Sequence, residues 1–78
     1  MSERLVTTLR EHRTRLGMTQ EELAQAVCVS RQTINSIETG RYVPSTVLAL
    51  RVAAALATPV EQLFGLPEDD PMLAQRRA

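Results

Sequence analysis

Lysine is absent from this chain, cysteine and histidine occur once each, as Cys28 and His12, and no apolar run approaches the length of a bilayer span. A single thiol excludes a disulfide framework, and one thiol with one imidazole leaves too few soft ligands for an ordinary structural zinc site. Also missing are a phosphate-cradling loop, a nucleophile beside a base and paired acids in a cleft, so the pattern argues against an enzyme and calls for no cofactor or metal. The opening MSERLVTTLRE mixes acids with bases and leads straight into a patterned segment, unlike a signal peptide, so a cytoplasmic protein away from membranes is expected. Net charge is absent too: 9 basic residues, all arginine, cancel 9 acidic ones. Six arginines nevertheless fall between Arg10 and Arg51, while Glu61, Glu68, Asp69 and Asp70 collect near the end. A balanced total therefore leaves room for a basic face whose affinity rests on a few placed contacts, without a polybasic tail.

What is present is one small helical domain, expected over residues 1–66, with 67–78 as a polar, proline-broken flexible tail. The first helix is predicted from about Glu3 to Leu16, with Val6, Leu9 and Leu16 inward and Gly17 as a left-handed stop. Thr19 and Glu22 form a capping-box signature for a second helix ending near Val27, buried through Leu23, Ala24 and Val27. Ser30 caps a third helix from Arg31 to about Thr39. Ile34 and Ile37 point it to the core, while Arg31, Gln32, Asn35 and Ser36 occupy the other side. After Gly40, RYVPS crosses to a fourth helix capped by Ser45 or Thr46, whose Val47, Leu48, Leu50, Val52, Ala53 and Leu56 are available to close the core. Thr58 and Glu61 predict a capping box for a short fifth helix, with Pro59 at its first position and Leu63 and Phe64 sealing the bundle.

Two short helices joined by a turn, the second with an unemployed polar face, make a unit that fits the major groove of DNA. RTRLGMTQEELAQAVCVSRQTINSIETGRYVPS, followed by ALRVAAAL and VEQLF, resembles the Cro and phage-repressor (XRE) family of helix-turn-helix proteins from Leu5 to Gly65. The resemblance implies an all-α, compact five-helix, lambda-repressor-like domain that binds double-stranded DNA, commonly as a two-fold dimer. By position, Gln20 resembles the family's glutamine that touches phosphate and helps orient a base-reading side chain, with Thr19 beside it at the helix start. Gln32 resembles the central base reader, flanked by Arg31 and Ser36. The chemistry agrees, since arginine can address guanine O6 and N7 and glutamine adenine N6 and N7. Asn35 is counted with these base readers, its side chain having phosphate or solvent as alternatives. Arg41 and Tyr42 match the loop that meets the sugar-phosphate backbone, where Tyr42 either donates to phosphate or acts as a structural lid, and Thr39 and Ser45 can add backbone contacts. Arg13 and Glu38 match a partly buried structural ion pair, which an arginine interrupting an apolar stripe requires on physical grounds.

Cys28 departs from the family by standing where glycine is usual in the turn; an inert turn residue is the simpler reading, a redox-sensing thiol the sharper one. His12 reads as a surface residue. Three functions are compatible with these features: a transcriptional regulator, in the first place a repressor; a DNA-binding antitoxin whose tail covers a toxin protein; and a protein-interaction or coactivator module on the same scaffold. A homodimer, formed in solution or only on DNA, would draw on Leu63, Phe64, Leu66, Met72 and Leu73.

Overall fold

The computed structural model describes residues 4–76; Glu3, where the sequence pattern starts the first helix, lies outside them. The chain does not enter a helix at once. Val6–Thr7 forms a strand, β1, paired antiparallel with Phe64–Gly65, β2, with Val6 opposite Gly65 and Thr7 opposite Phe64. The β-branched run Val6-Thr7-Thr8 suits an extended backbone. Its hydroxyls and amide then hold the far end of the chain: Thr7 Oγ1 and the Thr8 N–H both donate to the Leu63 carbonyl, at 2.8 and 3.0 Å, and Thr8 Oγ1 donates to the Gln62 carbonyl at 2.7 Å. Helix α1 accordingly spans only Leu9–Arg15, and Leu9 and Arg13 are its buried residues. Val6 and Leu16, expected inward, are 52% and 56% exposed.

Helix α2, Gln20–Val27, carries the predicted capping box, with Glu22 N–H donating to Thr19 Oγ1 at 3.0 Å and Thr19 N–H to Glu22 Oε1 at 2.8 Å. Helix α3, Arg31–Glu38, is capped by Ser30, which accepts from the Thr33 N–H at 3.1 Å. In α4, Thr46–Ala55, the cap is Ser45, accepting from Leu48 N–H at 3.1 Å. Leu48, Val52, Ala53 and Leu56 bury one stripe of this apolar helix. Val47 and Leu50, also expected in the core, lie on its other faces and are 58% and 53% exposed.

Four helix ends share one closure, in which an amide two or three residues past the end reaches back five residues and a left-handed residue turns the chain. Met18 N–H bonds Arg13 O, Val29 N–H bonds Ala24 O, Arg41 N–H bonds Ser36 O and Thr58 N–H bonds Ala53 O, all between 2.9 and 3.1 Å. Gly17 and Gly40 supply two of the left-handed positions, Cys28 and Ala57 the others. The closure after Ala57 overturns the predicted start of the fifth helix. Thr58 turns its hydroxyl back to Leu56 O at 2.9 Å, Pro59 takes the cap position without a side-chain bond, and α5 is the single turn Val60–Leu63. A sixth helix, α6, Pro71–Arg76, lies in the segment read as tail, its start met by Asp70 Oδ1 accepting from Met72 N–H at 2.9 Å. The fold is thus mostly helical as expected, with six helices and one two-stranded pair among the described residues. Its core joins Leu9, Leu23, Val27, Ile34, Ile37, Val52 and Leu63, each essentially without solvent contact.

Candidate nucleic-acid interface

Burying Ile34 and Ile37 fixes the rotation of α3 about its axis. Arg31, Gln32 and Asn35 are thereby left exposed and Ser36 half-buried at the edge. Past the helix, the Ser36 carbonyl accepts from both Arg41 N–H at 2.9 Å and Tyr42 N–H at 3.2 Å, which folds the following loop back alongside α3. Between them lies an open cleft of about 440 Å³ whose walls include Gln32, Thr33, Ser36, Arg41 and Tyr42. One groove therefore unites two residues expected to read bases, Gln32 and Ser36, with two expected on the backbone, Arg41 and Tyr42. Tyr42 keeps 45% of its surface exposed, so its ring borders the cleft without closing it.

Arg13, Glu38, Gln20 and Asn35 meet in a second cluster. Arg13 Nε donates to Glu38 Oε2 at 2.7 Å, its Nη2 to Glu38 Oε1 at 3.2 Å and its Nη1 to the Met18 carbonyl at 2.7 Å. The two side chains are only 9% and 3% exposed. The hydrogen bond to Glu38 raises the Arg13 pKa above its ordinary value, burial opposes the rise, and the carboxylate charge adds to it. Gln20 completes the cluster, its Nε2 donating to Glu38 Oε1 at 3.0 Å and to Asn35 Oδ1 at 3.2 Å.

Both side-chain donors of Gln20 are thus committed inside the protein, leaving its backbone N–H and that of Glu21, unbonded among the described residues, as the open donors where α2 begins. Thr39 is committed as well, its hydroxyl donating to Asn35 O at 3.0 Å and to Ser36 O at 3.3 Å. Thr19 and Ser45 use their oxygens as helix caps and keep their hydroxyl hydrogens. The resemblance implied that Gln20 orients a base-reading side chain, but its partners Asn35 and Glu38 escaped the sequence reading. The one local signal is that Asn35 and Glu38 stand three apart on α3 and so share a face.

Cys28 adopts the left-handed turn geometry, φ 65° and ψ 42°, with its thiol exposed. Among the described residues no group of His, Cys, Asp and Glu could hold a metal ion, and no helix is long and apolar enough to cross a membrane.

A compact bundle that presents α2, a left-handed turn and α3 in this way defines a class of DNA-binding domain, and comparison with known proteins agrees. Residues 9–63 match the family model described as Helix-turn-helix. An uncharacterized HTH-type transcriptional regulator of Methanothermobacter thermautotrophicus is 56% identical over 64 residues, 81% of this chain and 93% of that protein. The uncharacterized HTH-type transcriptional regulator YgzD of Bacillus subtilis is 44% identical over 62 residues, 80% of this chain and 94% of its own. Among solved structures, the restriction-modification controller protein C.AhdI from Aeromonas hydrophila superposes with a TM-score of 0.67 at 35% identity, over 69% of this chain and 82% of that one. The chain belongs to the helix-turn-helix family in its Cro and phage-repressor-like (XRE) form. In general terms it is a DNA-binding transcriptional regulator.

Proposed function

We propose that this protein is a sequence-specific operator-binding repressor that acts as a homodimer, each copy placing α3 in the major groove of one half-site. The observation that carries the reading is the division of α3: Ile34 and Ile37 are buried while Arg31, Gln32 and Asn35 are exposed, with the Arg41–Tyr42 loop folded alongside. In this mechanism Gln32 and Arg31 read base edges, with Asn35 and Ser36 beside them. Arg41 and Tyr42, with the open amides at the start of α2, Thr19 and Ser45, fasten the phosphates and set the register. Thr39 contributes only through the helix it closes. A second copy repeats these contacts about 34 Å along the duplex, one helical turn away. Repression follows where such a site overlaps a promoter. The C.AhdI resemblance supports a small controller built on this scaffold.

Selection of bound duplexes from a randomised library at near-physiological salt tests the reading. The wild type is expected to enrich a palindrome, and Gln32→Ala to lose about 1–3 kcal/mol of discrimination at the base pair it reads. No enrichment by the wild type would sink operator binding and turn attention to a protein partner such as a toxin.

A further inference from the structure

We infer that Glu38 sets base reading from inside the protein: its carboxylate, held by Arg13, fixes the amide of Gln20, which holds the Asn35 amide in one of its two orientations. The inference rests on the reading of α3 as the helix that enters the groove. Glu38, 3% exposed in its side chain, and Arg13, 9% exposed, are too enclosed to meet DNA themselves. They are positioning residues acting through Gln20.

An ionised carboxylate offers only acceptors. The end of the Gln20 amide that faces Glu38 Oε1 at 3.0 Å must therefore be its NH2, because the flipped amide would set oxygen against oxygen. That NH2 carries a second hydrogen, directed at Asn35 Oδ1 at 3.2 Å. The oxygen of Asn35 consequently faces Gln20 and its NH2 points away with both hydrogens uncommitted. Base recognition by an asparagine depends on this choice, since a flip exchanges donor and acceptor along the edge that meets a base. The ion pair alone does not require the arrangement. Arg13 is already satisfied by both Glu38 oxygens and the Met18 carbonyl, so the bond from Gln20 to Glu38 connects the buried pair to the exposed face.

The test is library selection with the wild type, Asn35→Ala, Gln20→Ala, the double variant and Glu38→Gln, each checked for folding by thermal melting. Asn35→Ala and Gln20→Ala are expected to relax preference at the same base pair by about fivefold or more, the low end for one amide on one base. Preference at the pair read by Gln32 should remain, and Gln20→Ala should add nothing at the shared position once Asn35 is gone. Glu38→Gln, which lets the Gln20 amide face either way, should relax that same position; if it fails to fold, Gln20→Ala, which removes no buried charge, still puts the inference at risk, because Glu38 reaches Asn35 only through Gln20 and an unchanged preference there overturns it. Uniform weakening by Gln20→Ala with every base preference intact would overturn the inference, as would an Asn35→Ala profile identical to the wild type. A wild type that enriches nothing overturns the groove reading itself, and the inference falls with it.

Discussion

Cys28 and Ala57 carry side chains where the backbone is left-handed, at φ 65° and φ 50°, while Gly17 and Gly40 serve the equivalent closures of α1 and α3. A Cβ in that region costs about 1–2 kcal/mol, partly offset because glycine has more freedom to lose on folding. Cys28→Gly and Ala57→Gly are each expected to stabilise the domain by about 0.5 kcal/mol, a rise of a few degrees in Tm. Scanning calorimetry checks the sign, and a fall in Tm for either variant would show that its side chain contributes packing worth more than the strain.

The element most dependent on distant partners is β1. Thr7 Oγ1 donates to Leu63 O at 2.8 Å and accepts from Leu9 N–H at 3.1 Å, so one hydroxyl joins the strand, the start of α1 and the end of α5. Thr7→Val keeps the branched shape and the β preference but removes both bonds. It is expected to destabilise the protein by about 1–2 kcal/mol, since the freed groups are only partly buried. The urea midpoint should fall with no change in m, whereas an unchanged midpoint would mean that water replaces the hydroxyl without loss. At the other end of the chain the exposed pair between Arg4 and Asp69 ties the same segment to the region before α6, a contact of small energetic weight in water.

For the whole molecule, a net charge of +0 means that DNA affinity comes from placed contacts, not from an overall field. Arg41, exposed beside the cleft, is the arginine proposed to meet phosphate from the loop after α3. Arg41→Ala should weaken binding to all sequences alike and make the slope of log K against log salt shallower by about 1, the signature of one lost phosphate contact. Fluorescence anisotropy over a salt series measures this. A sequence-dependent loss with an unchanged slope would move Arg41 from the backbone to the bases.

Much of this protein was legible in its sequence because the information is local. The capping box of Thr19 and Glu22, the cap at Ser30, the left-handed Gly17, the helix end at Gly40 and the split faces of α3 each depend on residues within one or two turns. Family resemblance reached further and brought Arg13 together with Glu38, 25 positions away. Long-range contacts decided the rest. Pairing with Phe64–Gly65 drew Val6–Thr7 out of the predicted first helix, and the closure of α4 at Ala57 took the Thr58 hydroxyl from its predicted cap. Apolar but for Thr46 and Arg51, α4 had no continuous polar stripe to mark its outside, and packing turned Val47 and Leu50 to solvent. The sequence by itself determined which polar residues stand on the outer face of α3, because helical period and capping are written in neighbouring positions. Only the tertiary structure decided which of their hydrogen-bonding groups remain free, because Gln20, Asn35 and Glu38 come together only when α2 packs on α3.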